Sequence, residues 1–250
     1  METIAFDPGG YRFIRGVFQY SAGVAAMPGH TLVRVRFRNP VPLNEGFRRV
    51  ENIIKKTGRP LTAFAACELR SPAPFTESGF KSFNELYVGT LSRWGIFDGA
   101  VNPVARSNVC PEIDPPAEPS FYAFTYTEIA GDAAPSFVVA GSGEAPEGHA
   151  SYRERTIRLG DLSADGLREK ARWVLSEMER RLGAMGFAWK DTTGTQLYTV
   201  HNIFPLLAEE IVRRGAAGAG LTWHYNRPPV VDLEYEMDCR GISLERVARD

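Results

Sequence analysis

The stretch NPVARSNVCPE, residues 102–112, sets an arginine in the middle of small and β-branched residues. Val104, Ala105 and Val109 belong in a buried strand; a guanidinium does not, unless something pairs with it. Either Arg106 closes a structural ion pair or it awaits an anion. Upstream, FKSFNELYVGTLSRWG (80–95) places Phe80, Phe83, Tyr87, Leu91 and Trp94 at steps of three and four, which predicts a helix that Gly95 ends. Downstream, SFYAFTYTEIA (120–130) reads as a further strand.

Working back from there, LTAFAACEL (61–69) reads as a strand. LNEGFRRVENIIKKTG reads as a helix with Asn44 as N-cap, Phe47, Val50 and Ile54 on one face, and Gly58 and Pro60 at its end. GVFQYSAGVA (16–25) and LVRVRFR (32–38) predict a hairpin, the second strand presenting its arginines to solvent. A similar order then recurs. SFVVAGSG (136–143) is a predicted strand with RTIRL (155–159) as its partner. A helix follows, capped by Ser163, carrying Leu167, Ala171, Val174, Met178, Leu182 and Met185 on one stripe and ending at Gly186. TGTQLYTVHN, IFPLLAEEIVRRG, LTWHYN and VVDLEYEMDC read as strand, helix, strand and strand. Gly23 and Gly143 stand 120 residues apart, as do Gly95 and Gly215, while Gly58 and Gly186 stand 128 apart. These offsets predict an internal duplication, with units at 1–130 and 131–250. In each unit two helices cover one face of a mixed sheet, an α+β arrangement. The other face, apolar in FYAFTY and AFAACEL, requires burial against a second sheet and so predicts an oligomer.

The chain of 250 residues is 44% hydrophobic and 24% charged, which is globular composition. Its 29 basic and 30 acidic residues leave a formal charge of −1 and form no basic stripe, which argues against nucleic-acid binding. Cys67, Cys110 and Cys239 are odd in number and widely spaced, so neither a disulfide framework nor structural zinc is expected. METIAFDPGG has no signal-peptide character, and no apolar run is long enough to cross a membrane. A cytoplasmic protein without membrane contact is the expectation. His30, His149, His201 and His224 form no HxH or HExxH pair, and no metal site is expected.

Several of these segments resemble the RidA/YjgF family of enamine and imine deaminases. GGYRF and FQYSAG are similar to its early segments, FNELYVGTL to its Asn-x-x-Tyr helix at Asn84 and Tyr87, and NPVARSNVCPE to its Pro-x-Ala-Arg-Ser strand at Pro103, Ala105, Arg106 and Ser107. The last match is the most specific. The resemblance implies two tandem RidA-like (chorismate mutase-like) units whose sheets pack into a trimeric barrel-like assembly, here three chains with six units. It also implies that Arg106 pairs with a substrate carboxylate in a cleft between units. Guanidinium suits that role, since its rigid fork matches a carboxylate bidentately. A glutamate of the final strand positions the attacking water in that family. Glu234 fits best, with Glu236 as the alternative, and the first unit has no acid there. A composite cleft, with Arg106 from one unit and Glu234 from the other, is one expectation; a second unit that is only structural is the other. Asn108, where the family often has cysteine, and Ser21, Tyr20 and Tyr11 are expected to line the site. Backbone N–H groups of residues 21–23 are expected to complete it.

The implied reaction is hydrolysis of a carboxylate-bearing enamine or imine, releasing ammonia and a keto acid. It requires no metal or organic cofactor. The family's activities include 2-aminoacrylate and 2-aminomuconate, and the latter, a dicarboxylate, calls for a second cationic or N–H-rich contact. The alternative is a non-catalytic small-carboxylate-binding or assembly protein. A ribonuclease, also attached to the family, is disfavoured by the charge.

Overall fold

The computed structural model describes residues 1–147 and 151–248; His149 lies outside them. The polypeptide begins with three short strands, β1 (Thr3–Phe6), β2 (Tyr11–Ile14) and β3 (Gly23–Ala26). Then come the long β4 (His30–Pro42), α1 (Leu43–Lys56), β5 (Phe64–Arg70), α2 (Glu77–Arg93), β6 (Ala105–Pro111) and β7 (Ser120–Ile129). The second half runs β8 (Phe137–Gly143), α3 (Ala164–Met185), β9 (Gly194–Tyr198), α4 (Phe204–Leu206), β10 (Leu221–His224), β11 (Asn226–Arg227), β12 (Glu236–Gly241) and β13 (Leu244–Val247). A π-helical turn, Leu207–Val212, prolongs α4.

Two mixed sheets result, in the orders β11-β6-β5-β7-β4-β13 and β1-β2-β3-β8-β12-β9-β10. Within them, β4-β7-β5-β6 and β8-β12-β9-β10 repeat one order, with the same antiparallel, antiparallel and parallel pairings. Helices α1 and α2 cover the outer face of the first sheet. Phe47, Phe64, Tyr87, Leu91, Phe121 and Phe124 pack there. Leu167, Val174, Met178 and Leu182 of α3 pack on the outer face of the second, with Leu197 and Met237. Between the inner faces lie Tyr11, Phe13, Val24, Leu32, Ala66 and Ala140. The sheet-on-sheet burial anticipated between units is therefore met inside one chain and needs no second copy.

Several local expectations are corrected. β3 does not pair with β4: it joins β2 and β8, so the N-terminal strands extend the sheet of the second half. In exchange, β13 pairs in parallel with β4 of the first half. Residues 155–159 form no strand. α1 starts straight out of β4 after Pro42 with no side-chain cap, so Asn44 is not its N-cap. α2 starts before Phe80, at Glu77, because the Thr76 hydroxyl accepts the Gly79 N–H. Arg34 is not solvated. It is 4% exposed between the sheets, where it forks onto Glu68 at 2.6 and 2.9 Å and reaches Glu245 at 3.0 Å. Ser163 does cap α3, and Gly186 ends it with φ of 84°. All three cysteines are buried and unpaired. No helix among the described residues is long and apolar enough to cross a membrane.

Because each half lends strands to the other's sheet, fragments 1–130 and 131–250 should not fold separately. Neither alone is expected to show near-UV circular dichroism or a cooperative urea transition, and mixing them should restore both.

Candidate active site

β6 carries Arg106 into a wall of aromatic rings. Its guanidinium carbon lies 4.7 Å from the Tyr87 ring centre, 5.1 Å from Tyr20, 5.5 Å from Phe83 and 5.7 Å from Phe80. Cation–π attraction of this kind contributes about 0.5–2 kcal/mol per good contact. Nη2 donates to Asn84 Oδ1 at 2.6 Å. Asn84 and Tyr87 sit one helical turn apart on α2, so both reach the same strand. Nη1 is buried and has no partner, and among the described residues no carboxylate forms an ion pair with Arg106. Among the described residues the structural ion pair is thus absent.

Two residues on, Asn108 points the same way, as the period of a strand requires. Its Oδ1 accepts from Ser71 Oγ at 2.9 Å, while its Nδ2 is buried and unpartnered. A buried donor left unsatisfied costs about 1–3 kcal/mol. Two side by side make a site for an acceptor-rich group. Both residues border a pocket with about 430 Å³ of atom-free space, its mouth included. Tyr20, Phe80, Glu147, Tyr152, Leu233 and Glu236 also line it.

Glu236 opens β12 and faces this pocket; Glu234 does not. The two fail to share a face because the chain is not yet a strand at Glu234. Asp232 has φ of 73°, and the N–H groups of Glu234 and Tyr235 are both taken by the Glu144 carboxylate, at 2.7 and 3.1 Å. The Glu234 side chain turns outward to His201 Nε2 at 2.7 Å and Arg227 at 3.6 Å. The pocket acid is therefore the alternative, Glu236, with Arg106 and Glu236 drawn from opposite halves of the sequence.

Burial pushes the Glu236 carboxyl well above its ordinary value, and Asp238, Glu147 and Glu144 push it further; Arg106 opposes them. Among the described residues no donor hydrogen-bonds it. Asp238, on the same strand face, contrasts with it. Ser107 Oγ, Gln196 Nε2 and Tyr198 OH donate to Asp238 at 2.5, 2.9 and 2.8 Å, offsetting the upward push of burial and Glu68. Both carboxyls are thus pushed up by burial, but three donors oppose the shift at Asp238, whereas at Glu236 the only opposing group is the Arg106 guanidinium. Gly141 of β8 permits the close approach: a Cβ there would lie 2.3 Å from Glu236 Oε1 and 3.2 Å from Ser107 Cα.

Of the other residues expected to line the site, Tyr20 and Asn108 do so. Tyr20 donates its hydroxyl to Glu147 Oε1 at 3.0 Å. Ser21 is spent on structure, its Oγ donating to the Pro103 carbonyl and its N–H to that of Val104. The Ala22 N–H is likewise taken, by Ile14, so these amides complete no anion site. Tyr11 is fully buried in the core and donates to the Phe64 carbonyl. Burial pushes the Cys110 thiol up to about 12, which leaves it inert. Glu147, Tyr152 and Gly141 went unread in the sequence; Asn84 and Tyr87 were visible as a motif but not as the holder of Arg106.

The sequence profile described as 2-aminomuconate deaminase CnbZ matches residues 3–246. The chain belongs to the CnbZ family. A relative, the 2-amino-5-chloromuconate deaminase of Comamonas testosteroni, is 54% identical over 248 residues, covering 98% of this chain and 99% of that protein. This member is accordingly an enzyme, a deaminase acting on C–N bonds, and the non-catalytic alternative gives way. Among solved structures, a chorismatase superposes with a TM-score of 0.51 at 11% identity, over 96% of this chain and 79% of its own, a likeness of fold alone. A putative endoribonuclease of Thermotoga maritima covers 53% of this chain at a TM-score of 0.32, too slight to bear on the assignment.

A carboxyl whose native pKa is raised holds its proton to higher pH than it does in the unfolded chain. The native state then binds more protons, and its stability falls as pH rises through the interval between the two values. Glu236→Gln removes that penalty. Its melting temperature should exceed that of the wild type at pH 8 and converge on it at pH 4, measured by calorimetry across pH.

Proposed function

We propose that this chain is a cofactor-free hydrolytic deaminase of a 2-aminomuconate-type substrate, an enamine flanked by a carboxylate. The observation that carries the reading is that two donors without a partner among the described residues, Arg106 Nη1 and Asn108 Nδ2, border one pocket with the Glu236 carboxyl. The name and 54% identity of the Comamonas testosteroni enzyme support the muconate class.

Arg106 and Asn108 take the carboxylate next to the amino-bearing carbon. Glu236, protonated, delivers its proton to a carbon of the conjugated enamine, which becomes an iminium. The resulting carboxylate draws a proton from water as the water oxygen adds to the iminium carbon. The same proton then passes to nitrogen, ammonia departs, and the hydroxyl proton returns to Glu236 to leave the keto acid. Atoms and charges balance without a metal or redox partner, because tautomerisation alone makes the substrate electrophilic. General acid–base work of this kind contributes roughly 10²–10⁴-fold.

The repeated strand order supports two diverged RidA-like units, the first supplying Arg106 and the second Glu236. The resemblance to that family carries the further expectation of three chains with six units, a cytoplasmic setting and a place in the breakdown of aromatic compounds. Light scattering after gel filtration should return three times the chain mass.

Ammonia release, coupled to glutamate dehydrogenase, tests the chemistry with freshly made 2-aminomuconate and 2-aminoacrylate. Arg106→Ala and Glu236→Gln should each lose about 10²-fold or more in kcat/KM. Glu234→Gln should stay within a few-fold of wild type. Undiminished turnover by Arg106→Ala would overturn the assignment of the carboxylate anchor.

A further inference from the structure

Arg181, on α3, borders neither reacting group, yet it is only 1% exposed and each of its three nitrogens is engaged. Nε donates to Glu177 Oε1 at 2.7 Å. Nη1 donates to the carbonyls of Ala140 at 3.2 Å and Gly141 at 3.4 Å. Nη2 lies 3.2 Å from Glu147 Oε1. These contacts lead to both ends of the pocket.

One route runs through β8. Met237 pairs with Ser142 and Cys239 with Val139, so Ala140 and Gly141 together stand opposite Asp238. That is a β-bulge, a device that breaks the ladder locally and re-aims nearby side chains. Gly141 is the residue against which the Glu236 carboxyl lies. Arg181 thus bonds both carbonyls of the bulge that seats the pocket acid. The other route runs through Glu147, whose Oε1 also accepts the Tyr20 hydroxyl. The Tyr20 ring in turn lies 5.1 Å from the Arg106 guanidinium.

We propose that Arg181 is the positioning residue that brings Arg106, from the first half, and Glu236, from the second, into register in one cleft. The role rests on the functional reading above. A planar fork is required for it: an ammonium is a point charge and does not reach two carbonyls and a carboxylate at once. Arg181 touches no substrate; it acts on Glu236 through the bulge and on Arg106 through Glu147 and Tyr20. Tyr20→Phe cuts the second route without disturbing α3.

The test compares wild type with Arg181→Met, Arg181→Lys, Tyr20→Phe and the exposed neighbour Arg180→Ala. Two readouts are taken: kcat and KM for ammonia release from 2-aminomuconate, and calorimetric binding of muconate, which lacks the amino group and does not turn over. Arg181→Met should raise KM and the muconate Kd about tenfold and lower kcat by a similar factor. Arg181→Lys should recover part of the KM, through its charge on Glu147, while kcat stays low. Tyr20→Phe should weaken muconate several-fold and raise KM by a similar factor, and Arg180→Ala should change nothing. A folded Arg181→Met with both readouts within twofold of wild type overturns the proposal. Should Arg181→Met not fold, Tyr20→Phe and Glu147→Gln decide, and unchanged muconate binding in both overturns it. If wild type neither binds muconate nor releases ammonia, the functional reading falls first and this role with it.

Discussion

A guanidinium buried with no carboxylate partner among the described residues is the constraint around which this molecule is arranged. Moving such a charge out of water costs several kcal/mol even after relaxation. Arg106 recovers only part of that from one hydrogen bond to Asn84 and from the faces of aromatic rings. The remainder is carried by the apolar core on the outer face of the first sheet, where Phe47, Phe64 and Phe121 pack edge to face. The arrangement leaves Nη1 buried and, among the described residues, without a partner, at the border of the pocket.

The second constraint is that neither half closes its own site. β6 supplies Arg106 and Asn108, but the acid lies on β12 in the other sheet. The sheets are fastened by exchange of strands, β3 to β8 and β13 to β4. They are also joined by side chains across the gap, where Gln196 bridges Glu68 and Asp238, and Ser107 reaches Asp238. A cleft made this way depends on the packing of the sheets: a shift of one over the other moves Arg106 relative to Glu236.

Two carboxyls on one strand face divide the work by environment. Asp238 has three donors and bridges the two sheets, while Glu236 has none among the described residues and faces the pocket. The difference arises from neighbours on four separate strands, β5, β6, β9 and β12, not from the EMD sequence that carries both acids.

Much of the fold was legible because helices and strands write their period into the sequence. The stripes of α2 and α3, the glycines ending them, the Ser163 cap and the strand around Arg106 are all readable, and the motif match singled out Arg106, Asn84 and Tyr87. Pairing partners were not legible. A strand's alternation tells which face is buried but not which neighbour it meets, so residues 16–25 and 32–38, adjacent in sequence, were read as a hairpin although they lie in different sheets. The choice between Glu234 and Glu236 failed for a related reason. Period two holds only where the backbone is extended, and the left-handed Asp232 with the Glu144 clamp ends that regularity just before β12. By itself the sequence singled out Arg106, a guanidinium among apolar residues, and its motif resemblance pointed to a deaminase. Tertiary structure alone decided which acid faces Arg106, since that depends on a bulge, a clamp and a sheet crossing that leave no local pattern.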